Sequence, residues 1–193
     1  MCTIFELGDL KCWGSNSNGQ LGTGDTTDSS SPQSVDLGVG RTAMSVAAGA
    51  EHTCAILDDA SMKCWGSNSN GQLGTGNTED YISPELVSGT NMYSVVTAGS
   101  AHTCAILDDS TIKCWGANSE GQLGIDTFSS QNTPTAVTGG LDVLAISAGG
   151  EHTCLITADD LSNSRTTKCW GDNTYGQLGC LLYTSPSPRD LRK

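Results

Sequence analysis

Apolar and polar positions alternate along most of this chain at the spacing of short strands, and no stretch carries the period of an amphipathic helix. In Thr53 to Leu57, Cys54 and Ile56 share one face while Thr53, Ala55 and Leu57 share the other. A preceding extended piece runs from Met44 to Ala48 and stops at Gly49, with counterparts from Tyr93 to Ala98 before Gly99 and from Leu144 to Ala148 before Gly149. Asp58-Asp59-Ala60 reads as a tight turn, because Asp hydrogen-bonds its own backbone and tolerates turn dihedrals. A third strand is predicted over Met62 to Gly66. A fourth is predicted in the short segment behind Pro84, where proline suits the first residue of an edge strand.

The same pattern recurs. The phrase W-G-x-N-x-x-G-Q-L-G starts at Trp13, Trp65, Trp115 and Trp170, and from Cys12 to Asp25 and from Cys64 to Asn77 two copies agree at 13 of 14 positions. Cys12, Cys64, Cys114 and Cys169 lie 52, 50 and 55 residues apart. His-Thr-Cys begins at His52, His102 and His152, and Pro-x-x-Val recurs at Pro32, Pro84 and Pro134, always in the same order. Four strands per fifty residues with no helix between them describe a propeller blade, so an all-β fold of four-stranded blades is expected.

The residues H-T-C-A-I-L, K-C-W-G and N-x-x-G-Q-L-G resemble the repeat of the regulator of chromosome condensation family, over Met1 to Gly179. The resemblance implies a seven-bladed propeller; kelch blades would carry a Gly-Gly pair ahead of spaced Tyr and Trp, which is absent here. About three and a half units are present, with expected limits at residues 1–37, 38–89, 90–139 and 140–179, forming an open, incomplete arc. Cys2 aligns with Cys54 and Met1 takes the place of Thr53, so the chain reads as a fragment opening inside a unit, with Met1 an internal methionine. Residues 180–193 break the pattern. They resemble a translated transposase sequencing adapter and are read as a foreign scar, the alternative being a natural disordered tail.

Charge narrows the partners. The 193 residues carry 9 basic and 21 acidic side chains, a net charge of −12. Without Arg189, Asp190, Arg192 and Lys193 of the tail, 6 basic and 20 acidic residues leave −14. Such a surface repels polyphosphate, so nucleic acid is not an expected partner. No apolar run has the length of a membrane span, and no signal-peptide pattern is visible.

Nine cysteines become eight once Cys180 is set aside, two per unit: Cys2 with Cys12, Cys54 with Cys64, Cys104 with Cys114 and Cys154 with Cys169. A hairpin turning on Asp58 to Ala60 sets Cys54 opposite Cys64. Facing Cα atoms in such a pair lie roughly 4.5–5.5 Å apart, within the reach of a disulfide. The fourth unit lengthens its turn by five residues yet keeps a cysteine on each side. Structural disulfides are expected, against the alternative of paired buried thiols. Disulfides imply an oxidising compartment, outside the cell or on its surface, the alternative being cytoplasm or nucleus.

Candidate chemistry resolves mostly to structure. His52, His102 and His152 are expected to fix strand starts by hydrogen bonding, not to hold a metal, since equivalent positions on successive blades stand a blade apart. Asp58-Asp59, Asp108-Asp109 and Asp159-Asp160 are turn neighbours expected to point apart, unlike a catalytic dyad. Asn68-Ser69-Asn70-Gly71 resembles part of a calcium loop, but Gly66 at the first-ligand position has no oxygen side chain, so turn chemistry is the better reading. Trp13, Trp65, Trp115 and Trp170 are expected to seal blade against blade instead of stacking sugars. Gly22, Gly74, Gly124 and Gly179 are expected to adopt backbone angles closed to other residues. No catalytic residue, cofactor or metal is expected.

The segments that differ between units, Asp25 to Ser31, Asn77 to Ser83, Asp126 to Thr133 and the long turn Asp159 to Thr166, are expected to form a recognition rim. The expected function is a non-enzymatic module, probing a protein or glycan with its blade loops as part of a larger secreted or cell-surface protein. The alternative, implied by the family's founding member, is guanine-nucleotide exchange on a small GTPase.

Overall fold

The β-branched and apolar positions of each unit form strands, and each unit folds into its own antiparallel sheet. The computed structural model describes residues 1–139, 142–159 and 164–179. The first sheet joins β1 (Cys2–Ile4), β2 (Leu10–Gly14) and β3 (Ser29–Ser34). The second joins β4 (Ala43–Ala48), β5 (His52–Leu57), β6 (Met62–Gly66) and β7 (Tyr81–Leu86). The third joins β8 (Tyr93–Ala98), β9 (His102–Leu107), β10 (Ile112–Gly116) and β11 (Gln131–Ala136). In the fourth, β12 (Val143–Ala148), β13 (His152–Asp159) and β14 (Ser164–Gly171) follow one another. Sequential neighbours pair in every sheet, giving four blades of an incomplete all-β propeller.

Register follows from turn length. Ala60 and Ser110 take positive φ in the β5–β6 and β9–β10 turns, which sets Cys54 opposite Cys64, Ile56 opposite Met62, and Cys104 opposite Cys114. Strand starts differ slightly from the sequence reading: β4 and β12 take in Ala43 and Val143, both buried, and β5 begins at His52. Proline departs further. Pro32, Pro84 and Pro134 lie within the outermost strands, not at their first residue, because the ladder is interrupted there by a bulge that asks no N–H of them.

Among the described residues the core is three clusters, each between consecutive blades. Strand alternation sends one face to each neighbour: Ala55 and Leu57 pack with Leu10, Leu21 and Leu37 of the first unit, whereas Cys54 and Ile56 pack with Ala105, Leu107 and Trp115 of the third. Cys104, Ile106 and Ile112 repeat the arrangement against Leu155 and Trp170. All six residues of β5 and of β9 are consequently buried.

Candidate functional site

The repeated phrase N-x-x-G-Q-L-G builds the joint between blades. Asn68 is buried, and its Nδ2 donates to Glu79 O at 2.9 Å and to Asn77 O at 3.2 Å, while its Oδ1 accepts from Leu73 N at 3.0 Å. Asp80 Oδ1 accepts from Asn68 N at 2.6 Å. Asn16 makes the same set with Asp25, Thr27, Leu21 and Asp28. The expectation of turn chemistry was too modest: one amide side chain organises a loop of a dozen residues, with Asn68 Nδ2 set among oxygens of Thr75, Asn77 and Glu79. Among the described residues, no three His, Cys, Asp or Glu side chains cluster as metal ligands.

The glutamine that follows faces two ways. Its side-chain Oε1 accepts from a backbone N–H two residues earlier, as Gln72 does from Asn70 at 2.9 Å. Its main-chain oxygen reaches the next blade: Gln20 O accepts from Thr53 Oγ1 at 2.9 Å and Trp65 Nε1 at 3.0 Å, and Gln122 O accepts from Thr153 Oγ1 at 2.9 Å and Trp170 Nε1 at 2.8 Å. Gln72 O accepts from Thr103 Oγ1 at 2.8 Å, while the buried Trp115 Nε1 has no partner.

The closing glycine seats the tryptophan. A Cβ on Gly74, whose φ is +70°, would lie 2.7 Å from Trp115 Nε1, and one on Gly22 would lie 2.7 Å from Trp65 Nε1. Trp65 and Trp115 are fully buried and Trp170 nearly so; Trp13 is half-buried. Removing about 200 Å² of indole from water stabilises each joint by roughly 5 kcal/mol, several times the worth of one hydrogen bond. Packing therefore dominates the joint, and the polar contacts align it. Gly179 also has a positive φ, with nothing within 4 Å of its Cβ position.

The histidines act across blades, where the sequence reading had each fixing its own strand. His52 Nε2 lies 2.9 Å from Thr103 Oγ1, and His102 Nε2 2.9 Å from Thr153 Oγ1. Each threonine gives its own proton to a glutamine carbonyl, so it must accept from histidine, which carries hydrogen on Nε2. Nδ1 of both rings is buried without a partner. Protonation would bury an unpaired N–H, and desolvation, with a smaller push from the neighbouring histidine, takes His52 down to about 3 and His102 down to about 4. Gly49 and Gly99 lie so close under these rings that a Cβ would collide with them. His152 is half-buried.

Three of the four cysteine pairs, Cys2–Cys12, Cys54–Cys64 and Cys104–Cys114, sit in the same joints. Sγ atoms are 2.05 Å apart in Cys2–Cys12, 2.12 Å in Cys54–Cys64, 2.09 Å in Cys104–Cys114 and 2.08 Å in Cys154–Cys169. Cys54, Cys64, Cys104 and Cys114 are fully buried.

Two expectations about the surface need correction. Asp58 and Asp59 do not simply diverge: Arg41 reaches both, at 3.3 and 2.9 Å, since the loop before β4 passes over the turn. Asp59 is also held below the ordinary carboxyl range, chiefly by a 2.6 Å hydrogen bond from Ser61 Oγ, and Asp109 likewise by Thr111. Nor do the variable segments form one rim. Those beginning at Asp25, Asn77 and Asp126 leave the blade at the His52 end of the strands, whereas Asp159 and Ser164 pair at the opposite end. Residues 160–163, the remainder of that turn, lie outside the described residues, as does the tail 180–193. Each segment also runs into the outermost strand, where Ile82 O accepts from Gly24 N at 3.0 Å and Asn132 O from Gly76 N at 2.8 Å. Exposed within these segments are 25–28, 30 and 31 in the first, 78–80, 82 and 83 in the second, and 126–130, 132 and 133 in the third, including Phe128 at 56% exposure.

A β-propeller repeat protein whose joints are built from Asn, Gln, Gly, Trp, His and Thr is the class defined by this geometry. The profile described as Regulator of chromosome condensation (RCC1) repeat matches residues 8–56, 64–106 and 114–156, and the chain belongs to that family. The Ultraviolet-B receptor UVR8 of Arabidopsis thaliana is 46% identical over 83 residues, covering 43% of this chain and 19% of that protein. Prp20p of Saccharomyces cerevisiae, which binds Gsp1p and histones, superposes with a TM-score of 0.70 at 21% identity, over 77% of this chain and 39% of its own. The ectodomain of the receptor kinase CR4 of Physcomitrella patens superposes with a TM-score of 0.51 at 24% identity, over 89% and 36%. The chain spans less than half the length of each, and these likenesses to solved structures define the fold alone.

Proposed function

We propose that the chain is a non-enzymatic recognition module of an extracellular or cell-surface protein, its blade loops engaging a protein or glycan. The carrying observation is the exposed row 26–28, 78–80 and 127–130, held along the arc at the same end of each blade's strands by buried asparagine hubs that keep variable residues on a rigid frame. The four cysteine pairs support an oxidising compartment, and we assign them as structural disulfides. The ectodomain of a receptor kinase with a similar fold fits the same reading. Residues 1–179 form the propeller part under this proposal, in units near 1–37, 38–89, 90–139 and 140–179. Among the described residues no helix is long and apolar enough to cross a membrane.

Thiol labelling of the denatured, unreduced protein tests the compartment: the eight repeat cysteines should stay unlabelled, and eight labelled thiols would overturn it. Photo-crosslinkers at Thr78 and Phe128 should capture a cell-surface partner far better than one at Ser110 on the opposite end. Equal capture would sink the rim assignment. The second reading, nucleotide exchange on a small GTPase, draws on the likeness to Prp20p. Acceleration of nucleotide release by the purified chain would place it first.

A further inference from the structure

The outermost strands carry a feature that the Trp, His and Gln joint contacts do not explain. In three units the ladder slips at the same place. Cys12 faces Gln33 and Gly14 faces Ser29, which leaves Ser30, Ser31 and Pro32 opposite Trp13 alone. Ile82-Ser83-Pro84 stand in the same way opposite Trp65, and Asn132-Thr133-Pro134 opposite Trp115. A bulge of this size lifts its middle residue off the ladder. In every case that residue is a hydroxyl followed by proline, and Ser31, Ser83 and Thr133 are all exposed.

Accessibility of the oxygens then differs. Ser30 has no side-chain partner among the described residues, and Ser31 Oγ accepts from Gln33 Nε2 at 3.1 Å, which leaves its own proton free. At Ser83 it is Oγ that leans over Gly24 of the preceding blade, whereas at Thr133 it is the methyl group that faces Gly76. The flanks are rich in further hydroxyls: Thr26, Thr27, Ser29 and Ser34 around the first bulge, and Ser129, Ser130 and Thr135 around the third. Proline holds the backbone extended, supplies no N–H to a ladder, and in hydroxyl-rich exposed stretches marks acceptors of O-linked sugar.

We propose that Ser30, Ser31 and Thr133 are O-glycosylation sites, presented by the proline bulges to a glycosyltransferase that uses a nucleoside-diphosphate sugar. The hydroxyl oxygen attacks the anomeric carbon and forms the new C–O bond. The bond from that carbon to the phosphate oxygen breaks, the nucleoside diphosphate leaves with the electron pair, and the hydroxyl proton passes to the transferase. The sugars would cover outermost strands that carry few charges of their own, shielding an otherwise open edge. This inference rests on the extracellular reading of the protein.

The test is site mapping by electron-transfer mass spectrometry on the full chain, secreted from eukaryotic cells, with thiol labelling on the same sample. Hexose or N-acetylhexosamine is expected on Ser30, Ser31 or Thr133, with Ser83 bare and the cysteines bonded. The Ser30→Ala/Ser31→Ala variant, altered only at exposed positions, should lose the first increment and keep its circular dichroism. Bare hydroxyls on a disulfide-bonded protein would overturn the glycan sites and leave the extracellular reading standing. Eight free thiols would overturn both, and phosphate esters at Ser31 and Thr133 would replace the glycosyltransferase with a proline-directed kinase.

Discussion

Acid should loosen the joints through the two buried histidines, well before the carboxylates titrate. His52 and His102 fall from 6.5 to about 3 and about 4 in the folded protein, because protonation of Nδ1 would bury a charge and an unpaired N–H. The unfolded chain keeps the ordinary value, so it takes up protons that the folded chain refuses. Stability is therefore complete above pH 6.5 and falls as the pH drops from 6.5 towards the folded values. At pH 5 the gap of roughly 1.5 units costs about 2 kcal/mol per histidine, about 4 kcal/mol for both. That is a large share of the stability of a small domain. Asp59, Asp109 and Asp172, each held down chiefly by a hydroxyl hydrogen bond, add a loss in the same direction only below 3.8, outside this window. Urea unfolding followed by tryptophan fluorescence at pH 7.5 and pH 5 reads the difference. The His52→Gln/His102→Gln variant keeps an N–H for each threonine but no titrating ring, and its two curves should lie within about 1 kcal/mol of each other. A wild type as stable at pH 5 as at pH 7.5, or a variant with an undiminished gap, would refute the argument.

Gly74→Ala should destabilise the chain by about 3 kcal/mol, since the methyl group enters the seat of Trp115 and φ is +70°; the urea midpoint would show it, and an unchanged midpoint would mean that the ring moves aside freely. Asn68→Ala should cost about 3 kcal/mol, because Leu73 N and two carbonyls lose a buried partner. Hydrogen exchange should then rise across 68–80 more than in β5, and uniform exchange would refute the hub.

Much of the blade is legible in the repeated letters. The spacing of Cys54, Asp58-Asp59-Ala60 and Cys64 implies the hairpin and its register, and the alternation in Thr53 to Leu57 implies two apolar faces, which the structure buries against two different blades. The placing of proline was less legible, because a bulge and a strand start excuse the missing N–H equally well. Asn68 reads as an ordinary turn residue until Glu79 and Asp80 are seen folded back onto it. A signal for the histidine contact was present: Thr103 follows His52 by one repeat plus one residue, and a glycine precedes each His-Thr-Cys by three. Spacing alone does not show which surfaces meet.

Contacts within a hairpin are set by a handful of bonds along the chain, so the amino-acid order alone determined the strands, their pairing and the opposition of the cysteines. Contacts between blades join residues about fifty positions apart through no covalent constraint. Only the packed arc decided that Gln20 meets Trp65 and that His52 meets Thr103. The reason is that a blade can bury its faces only against its neighbours.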